Sequence, residues 1–242
     1  MKFYKGTTSP YKVREVAGIL RPLEIELCTT DPIDPEETGD TLEANAQIKV
    51  EAYGQYVGQK LIKQFVSEQG CSQEEARTFL KLNQTWVMCE DSGLFIPALN
   101  GLPGPWSARF DDCLIQDNRI VGHTTSGRTR DEIDTANNRR VLELMKGIEQ
   151  PHRTASFGVC LMVADIDGTI LFKTTSFAAG WILEGTRGRD GFGYDPIFAS
   201  GSSFGKSWAE IDGMRKNLIS HRRKALQMFT AWLASQLKGG ER

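Results

Sequence analysis

Apolar positions near the start of the chain switch spacing as the chain runs. Lys2 to Lys5 has the look of a short extended run, Lys12 to Leu20 carries helical spacing, Leu23 to Cys28 is extended again, and a helix opens from about Thr41. That alternation predicts an α/β protein. Trp86 to Cys89 is an apolar strand, and Ser156 to Ile166, Thr169 to Thr175 and Trp181 to Glu184 are successive extended runs, the first two separated by the turn Asp167-Gly168. This predicts an antiparallel portion of the sheet. Towards the C-terminus, Ala225, Leu226, Phe229, Trp232, Leu233 and Leu237 recur at helical spacing and make one apolar face. Gly54 to Gln84 is polar and helix-permissive, and Ser72-Gln-Glu-Glu75 has capping-box spacing for a short helix through Leu82. A helical hairpin is expected there. Its apolar residues, Leu61, Ile62, Phe65, Val66, Phe79 and Leu80, either form a local core or an exposed docking patch.

Composition narrows the picture. With 242 residues, 40% hydrophobic and 25% charged, the chain can bury a sizeable core, which excludes disorder, collagen and disulfide scaffolds. The 29 basic and 31 acidic residues leave a net charge of −2, so no overall field draws the protein to nucleic acid or an anionic membrane. An anionic ligand therefore needs a local cluster. No apolar run approaches the ~18 residues of a spanning helix, and the first residues lack a signal peptide's apolar stretch, so a cytoplasmic protein is expected. Cys28, Cys71, Cys89, Cys113 and Cys160 form no Cys-x-x-Cys pair and read as reduced structural thiols. Only His123, His152 and His221 are present, with no zinc-binding spacing. Gly201 to Ser207 resembles a phosphate-cradling loop but is one residue short between its glycines.

Four groups of residues carry candidate chemistry. Glu90 and Asp91 end the strand at Trp86 to Cys89, and because side chains alternate, only one of them faces a given cleft. Taken alone, a solvated strand end is the simpler reading. Gly185 to Phe198 (GTRGRDGFGYDPIF) combines glycines that admit close backbone approach, arginines that pair with phosphate, and aromatic faces that stack on a base. Lys216 to Arg222 leads donors into the last helix, where an ordinary start capped by Ser220 is an equal reading. Finally, Thr7-Thr8-Ser9-Pro10-Tyr11-Lys12 joins strand to helix either as a phosphate loop or as a plain Ser/Thr cap followed by proline.

Read together, these segments resemble the inosine triphosphate pyrophosphatase family, which hydrolyses noncanonical purine nucleoside triphosphates to the monophosphate and pyrophosphate. The matches run in order: Thr7 to Glu15, Glu36-Glu37-Thr38-Gly39 with Thr41 and Asn45-Ala46, Glu90 to Phe110, Gly191 to Phe198, and Ala209-Glu210 followed by Lys216 to Arg222. Only about 54–84 falls outside, as a helical insertion within a single domain over 1–242. The resemblance implies a long bent mixed β-sheet with flanking helices, two lobes around a nucleotide cleft, and a homodimer. It implies that Glu36 and Asp91 hold Mg2+, that Asp91 is also the base activating water, and that Lys12 shares the catalytic minimum with them. Thr7, Thr8, Ser9, Lys12, Ser92 and Lys216 would meet the phosphate side of the substrate. Phe192, Gly193 and Tyr194 would shape the base site, with Phe192 stacking on the purine, while Asp195, His221 and Arg222 would contact it.

Departures from the family pattern are Ser9 for a usual asparagine, Arg215 for a glutamate and Ser176 for a glycine. The expected activity is Mg2+-dependent hydrolysis of ITP, dITP or XTP. The alternative is a nucleotide-sensing subunit with weak turnover that signals to a hetero-partner docked on 54–84, and a third reading is a pyrophosphatase for other modified nucleotides. Neither nucleic acid nor membrane is an expected partner.

Overall fold

Ser9 and Pro10 set the first helix. In the computed structural model, which describes residues 2–21, 25–117, 119–124 and 127–239, with side chains through 236, the Ser9 hydroxyl accepts from the Lys12 N–H and Pro10 occupies the first helical turn. Strand β1 (Lys2–Gly6) thus leads into α1 (Pro10–Leu20), then β2 (Glu26–Thr29), α2 (Leu42–Gln69), α3 (Gln73–Leu82), β3 (Thr85–Phe95), β4 (Pro103–Gly104), β5 (Cys113–Gln116) and β6 (Arg119–His123). Helix α4 (Arg130–Leu144), β7 (Thr154–Asp165), β8 (Ile170–Ile182), β9 (Phe198–Ala199), α5 (Gly213–Ile219) and α6 (His221–Gly239) complete the order. The main sheet is mixed, with strand order β2-β1-β3-β7-β8-β9 and β4 beside β3, while β5 and β6 pair separately. This is a mixed α/β fold with flanking helices.

The chain divides into two compact units, one of Met1–Asp91, Cys160–Thr175 and Ala225–Arg242, the other of Ser92–Val159 and Ser176–Lys224. In the first, β1 is central and parallel to both neighbours, pairing Lys2 with Glu26 and with Thr85. Phe3 is fully buried and meets Trp86 and Phe229 edge-on, at 5.4 and 5.3 Å between ring centroids. Helix α2 begins at its Thr41 cap and runs unbroken through Gly54, so the segment 54–84 is not a separate hairpin. It is the second half of α2 plus α3, ending on the first residues before β3. The capping box at Ser72 and Glu75 forms as its spacing predicts. Ile62, Ala76, Leu80 and Ile166 bury together with Leu61, Phe65 and Val66 against them. Phe79 is half exposed but stacked on Phe65 at 4.6 Å. The inward-packing reading is the one observed. Gly58 permits the close approach of α2 to the β7 end, because a Cβ there would lie 2.2 Å from the Ile166 carbonyl oxygen.

In the second unit β4 pairs antiparallel with the end of β3, and β9 with the end of β8. The core gathers Leu94, Ile96, Phe110, Phe157, Ile197, Phe198 and Trp208. Strand β8 joins the expected runs Thr169 to Thr175 and Trp181 to Glu184 into one strand after the Asp167-Gly168 turn. The β5–β6 hairpin and α4 are among the elements that had no pattern to announce them. The expected start of β2 at Leu23 lies outside the described residues, as does the Leu237 side chain. The Gly201 to Ser207 loop closes on itself through the buried Ser203 hydroxyl, which accepts from the Ser200 N–H and faces the Ser200 and Lys206 carbonyls as donor. All five cysteines are free thiols. Among the described residues no helix is long and apolar enough to cross a membrane.

Candidate functional site

Strand β3 carries Glu90 and Asp91 into the interior of the first unit, where they are 2% and 4% exposed, so the solvated strand end does not occur. Burying adjacent carboxylates is costly unless cations and donors compensate. Here both do. On one side of the strand, the Lys5 ammonium of neighbouring β1 lies 3.5 Å from Glu90, and Lys12, one turn into α1, lies 4.0 Å from the other oxygen of Glu90. Asp91 faces the other way, onto α2. There Asn45 and Lys49 are one helical turn apart and share a face. The Lys49 ammonium sits 2.7 Å from Asp91 Oδ1, 3.0 Å from Glu37 and 3.4 Å from the Glu90 carbonyl. The Asn45 amide donates to Asp91 Oδ2 at 3.5 Å while its oxygen accepts from the Gly39 N–H at 2.8 Å. Asn45 therefore ties the Glu36 to Gly39 loop to the carboxylate.

The charges fit this arrangement. Burial pushes the Asp91 carboxyl above the usual carboxylate range, against the pull of Lys49 and Lys12. For Lys49, burial acts to lower the pKa but the facing Asp91 and Glu37 outweigh it, so the ammonium is held charged. Glu36, one of the expected metal ligands, is exposed, while its neighbour Glu37 reaches the cluster. Among the described residues no group of His, Cys, Asp or Glu is assembled as a ready multidentate metal site. Thr7 accepts from the Ser9 N–H at 3.2 Å and Thr8 is exposed, so this loop combines a helix cap with hydroxyls and the Lys12 cation. Serine at position 9 keeps the cap that an asparagine would supply.

The second unit holds the other residues. The Gly191 to Asp195 turn is drawn tight by Asp195, whose Oδ2 accepts from the Phe192 N–H at 2.9 Å and from the Lys216 ammonium at 2.5 Å. That ammonium also lies 4.4 Å from the centre of the Phe192 ring and 5.7 Å from that of Trp208. Asp195 and Lys216, expected at different parts of a nucleotide, are thus an ion pair with each other. The ring of His221, at the start of α6, stacks on Phe157 at 5.1 Å and 12°. Ser220 caps that helix by accepting from the Arg223 N–H, as the plainer expectation had it. The Arg222 side chain is buried beside it, 1% exposed. Ser176, in place of a glycine, donates its hydroxyl to the His221 carbonyl at 2.6 Å. Tyr194 has its ring 3% exposed in the core and its hydroxyl donates to the Ser107 carbonyl at 2.9 Å, so it supports the turn from behind.

The Ham1 family model matches residues 4–232, spanning every one of these positions. The chain belongs to the Ham1 family. Among its relatives, a dITP/XTP pyrophosphatase of Desulforamulus reducens is 32% identical over 231 residues, covering 94% of this chain and 92% of the relative. Another, from Bacillus subtilis, is 33% identical over 232 residues and 94% of each chain. Of solved structures, a HAM1 protein from Coxiella burnetii superposes with a TM-score of 0.69 at 27% identity, covering 97% of this chain and 99% of the other. The Staphylococcus aureus Ham1 protein gives 0.65 at 25% identity over 98% and 100%. Within this Ham1 chain, sequence reasoning missed Lys5, Glu37 and Lys49 as partners of the buried carboxylates. The signal for Lys49 was its place one turn beyond Asn45 on a helix already expected. Lys5 reads as an ordinary strand-end cation until β1 is known to pair with β3.

Proposed function

We propose that this Ham1-family chain hydrolyses noncanonical purine nucleoside triphosphates, ITP, dITP and XTP, to the monophosphate and pyrophosphate with Mg2+ as cofactor. Membership of the family and full-length relatives named dITP/XTP pyrophosphatase make it a nucleoside triphosphate pyrophosphatase, a hydrolase of phosphoric anhydrides. The observation that carries the finer reading is the buried Asp91 held by Lys49 and Asn45, in a cluster with Lys5, Lys12, Glu37 and Glu90. Its carboxylate oxygens are the donors a hard divalent cation takes, and Mg2+ is commonly held by only one or two carboxylates together with substrate phosphates. Glu36 and Asp91, with Glu37 at hand, would hold it, and the bound ion would offset phosphate charge.

The chain's own residues supply the rest. Asp91 accepts the proton of the attacking water. Lys49 beside it favours the ionised carboxylate, the state a base needs, against the upward push of burial. Lys12, with the hydroxyls of Thr7, Thr8, Ser9 and Ser92, meets phosphate oxygens and stabilises the leaving pyrophosphate. Phe192 stacks on the purine, and Lys216 and Asp195 fix that ring and its turn. Arg222 donates to the O6 acceptor of hypoxanthine or xanthine, and adenine, presenting a donor there, cannot accept that bond. The inward packing of α3 on α2 removes the motive for a docking patch on 54–84, so the sensor reading is not favoured.

The test is to mix the protein with dITP and Mg2+ and separate the products. Equal amounts of dIMP and pyrophosphate are expected; dIDP with orthophosphate would overturn the assignment. A cytoplasmic homodimer completes the reading, and light scattering on the purified protein together with cell fractionation tests it.

A further inference from the structure

Helix α4 buries polar groups where a helix of this kind would ordinarily bury aliphatic ones. Asp134, Asn137 and Asn138 are 8%, 1% and 4% exposed, and all of them hydrogen-bond backbone of irregular segments. Asn137 serves the 107–111 turn, accepting from the Asp111 N–H at 2.7 Å and donating to the Ser107 carbonyl at 3.2 Å. The other side chains, one helical turn apart, converge on a single residue. Asp134 Oδ2 accepts from the Gly193 N–H at 2.8 Å and Asn138 Nδ2 donates to the Gly193 carbonyl at 2.7 Å.

Both backbone polar groups of Gly193 are therefore held by one rigid element. The Asn138 amide also donates to the Asp134 carbonyl at 2.7 Å, so its NH2 faces carbonyl oxygens on both sides and its orientation is determined by chemistry. Asp134 is itself fixed by an ion pair with Arg130, which anchors on the Ala108 carbonyl. Gly193 adopts φ +61°, in the left-handed region, immediately after Phe192. With the Phe192 N–H held by Asp195, the peptide units on either side of the Phe192 ring are pinned.

We infer that Asp134 and Asn138 are positioning residues for the base site, clamping Gly193 and thereby setting the plane in which Phe192 offers its face. They touch no reacting atom. This inference rests on the reading of Phe192 as the base-stacking ring.

The experiment compares the full-length wild type with Asn138→Ala, Asp134→Ala, Phe192→Ala and the Phe192→Ala/Asn138→Ala double variant. Steady-state kinetics on dITP are measured alongside amide hydrogen exchange. Asn138→Ala and Phe192→Ala are each expected to raise KM about tenfold, the worth of one lost buried hydrogen bond or stacking contact, with kcat nearly unchanged. The double variant is expected to be no worse than Phe192→Ala alone, because the clamp acts through that ring. Multiplying effects, or a wild-type KM in Asn138→Ala, would overturn the inference. Asn137→Ala controls for general loosening of α4: it should lower the melting temperature but leave KM alone, and an equal KM rise there would also overturn it. Exchange tests the clamp without turnover. The Gly193 amide of the wild type should exchange slowly for a glycine-rich turn and lose that protection in Asp134→Ala; fast exchange in the wild type refutes the clamp even if no variant folds. A wild type that leaves dITP intact while protecting Gly193 refutes the functional reading instead.

Discussion

At Asp91 the same burial that raises the affinity of the carboxyl for a proton also makes its lysine partner indispensable. Asp91→Asn keeps the shape but removes the proton acceptor and leaves one oxygen to accept from either Asn45 or Lys49. Turnover of dITP should fall by roughly 10²-fold or more with the fold intact, read by steady-state kinetics and a thermal melt. Lys49→Met behaves differently, since it leaves Asp91 buried without the ammonium at 2.7 Å. Stability at neutral pH should drop by about 3 kcal/mol in urea titrations, the scale of breaking a buried pair. The pH dependence has a definite sign. With Lys49 gone, the folded Asp91 pKa rises further above its unfolded value, so the penalty is full above that raised pKa and is relieved as pH falls through it. Adding Asp91→Asn to Lys49→Met should likewise recover most of the loss. A Lys49→Met protein as stable as wild type at neutral pH would show the pair to be energetically idle. Much of this residue-level picture was legible: Asp91, Lys12 and the Phe192 turn stand in contiguous motifs. Lys49, Lys5 and Asp134 were not, because their importance comes from strand pairing and helix facing that bring residues distant in sequence to one group.

At the level of elements, α2 shows how a helix tolerates glycine for the sake of contact. Alanine at position 58 would gain about 1 kcal/mol in helix propensity. Its Cβ, however, would stand 2.2 Å from the Ile166 carbonyl oxygen, a backbone atom that cannot swing away. Overpacking of this kind costs about 1 to 3 kcal/mol, so Gly58→Ala should destabilise the protein in chemical denaturation, and a stabilised variant would mean that α2 can shift freely. The elements that periodicity revealed are those with apolar faces, such as β1, α1, β7 and α6. Helix α4 escaped because its buried stripe includes Asp134, Asn137 and Asn138, which hold loop backbone in place of aliphatic packing. The 54–84 segment reads as helical from sequence with inward packing and an exposed patch both open for its apolar residues, and in the structure its first half runs on from α2 without a break and packs inward. A polar stretch following an apolar one does not mark a break when the helix simply turns a more exposed face to solvent.

Over the whole molecule the near balance of 29 cations and 31 anions is reproduced inside the carboxylate cluster, and this has a consequence for metal removal. Lys5, Lys12 and Lys49 face Glu90, Glu37 and Asp91, three cations to three carboxylates. A cation that binds there adds charge for the substrate's phosphates, but the fold does not need it to neutralise buried carboxylates. A protein whose metal closes its core unfolds when chelated. This one should not. Treatment with EDTA is expected to abolish dITP hydrolysis while lowering the melting temperature by less than about 4 °C, the shift that about 1 kcal/mol produces at this chain length. Readdition of Mg2+ should restore turnover without refolding, and far-ultraviolet circular dichroism should be the same throughout. Loss of the melting transition on chelation would mean that the lysines do not balance the cluster, and retention of full turnover would mean that Asp91 and its lysines work without a metal.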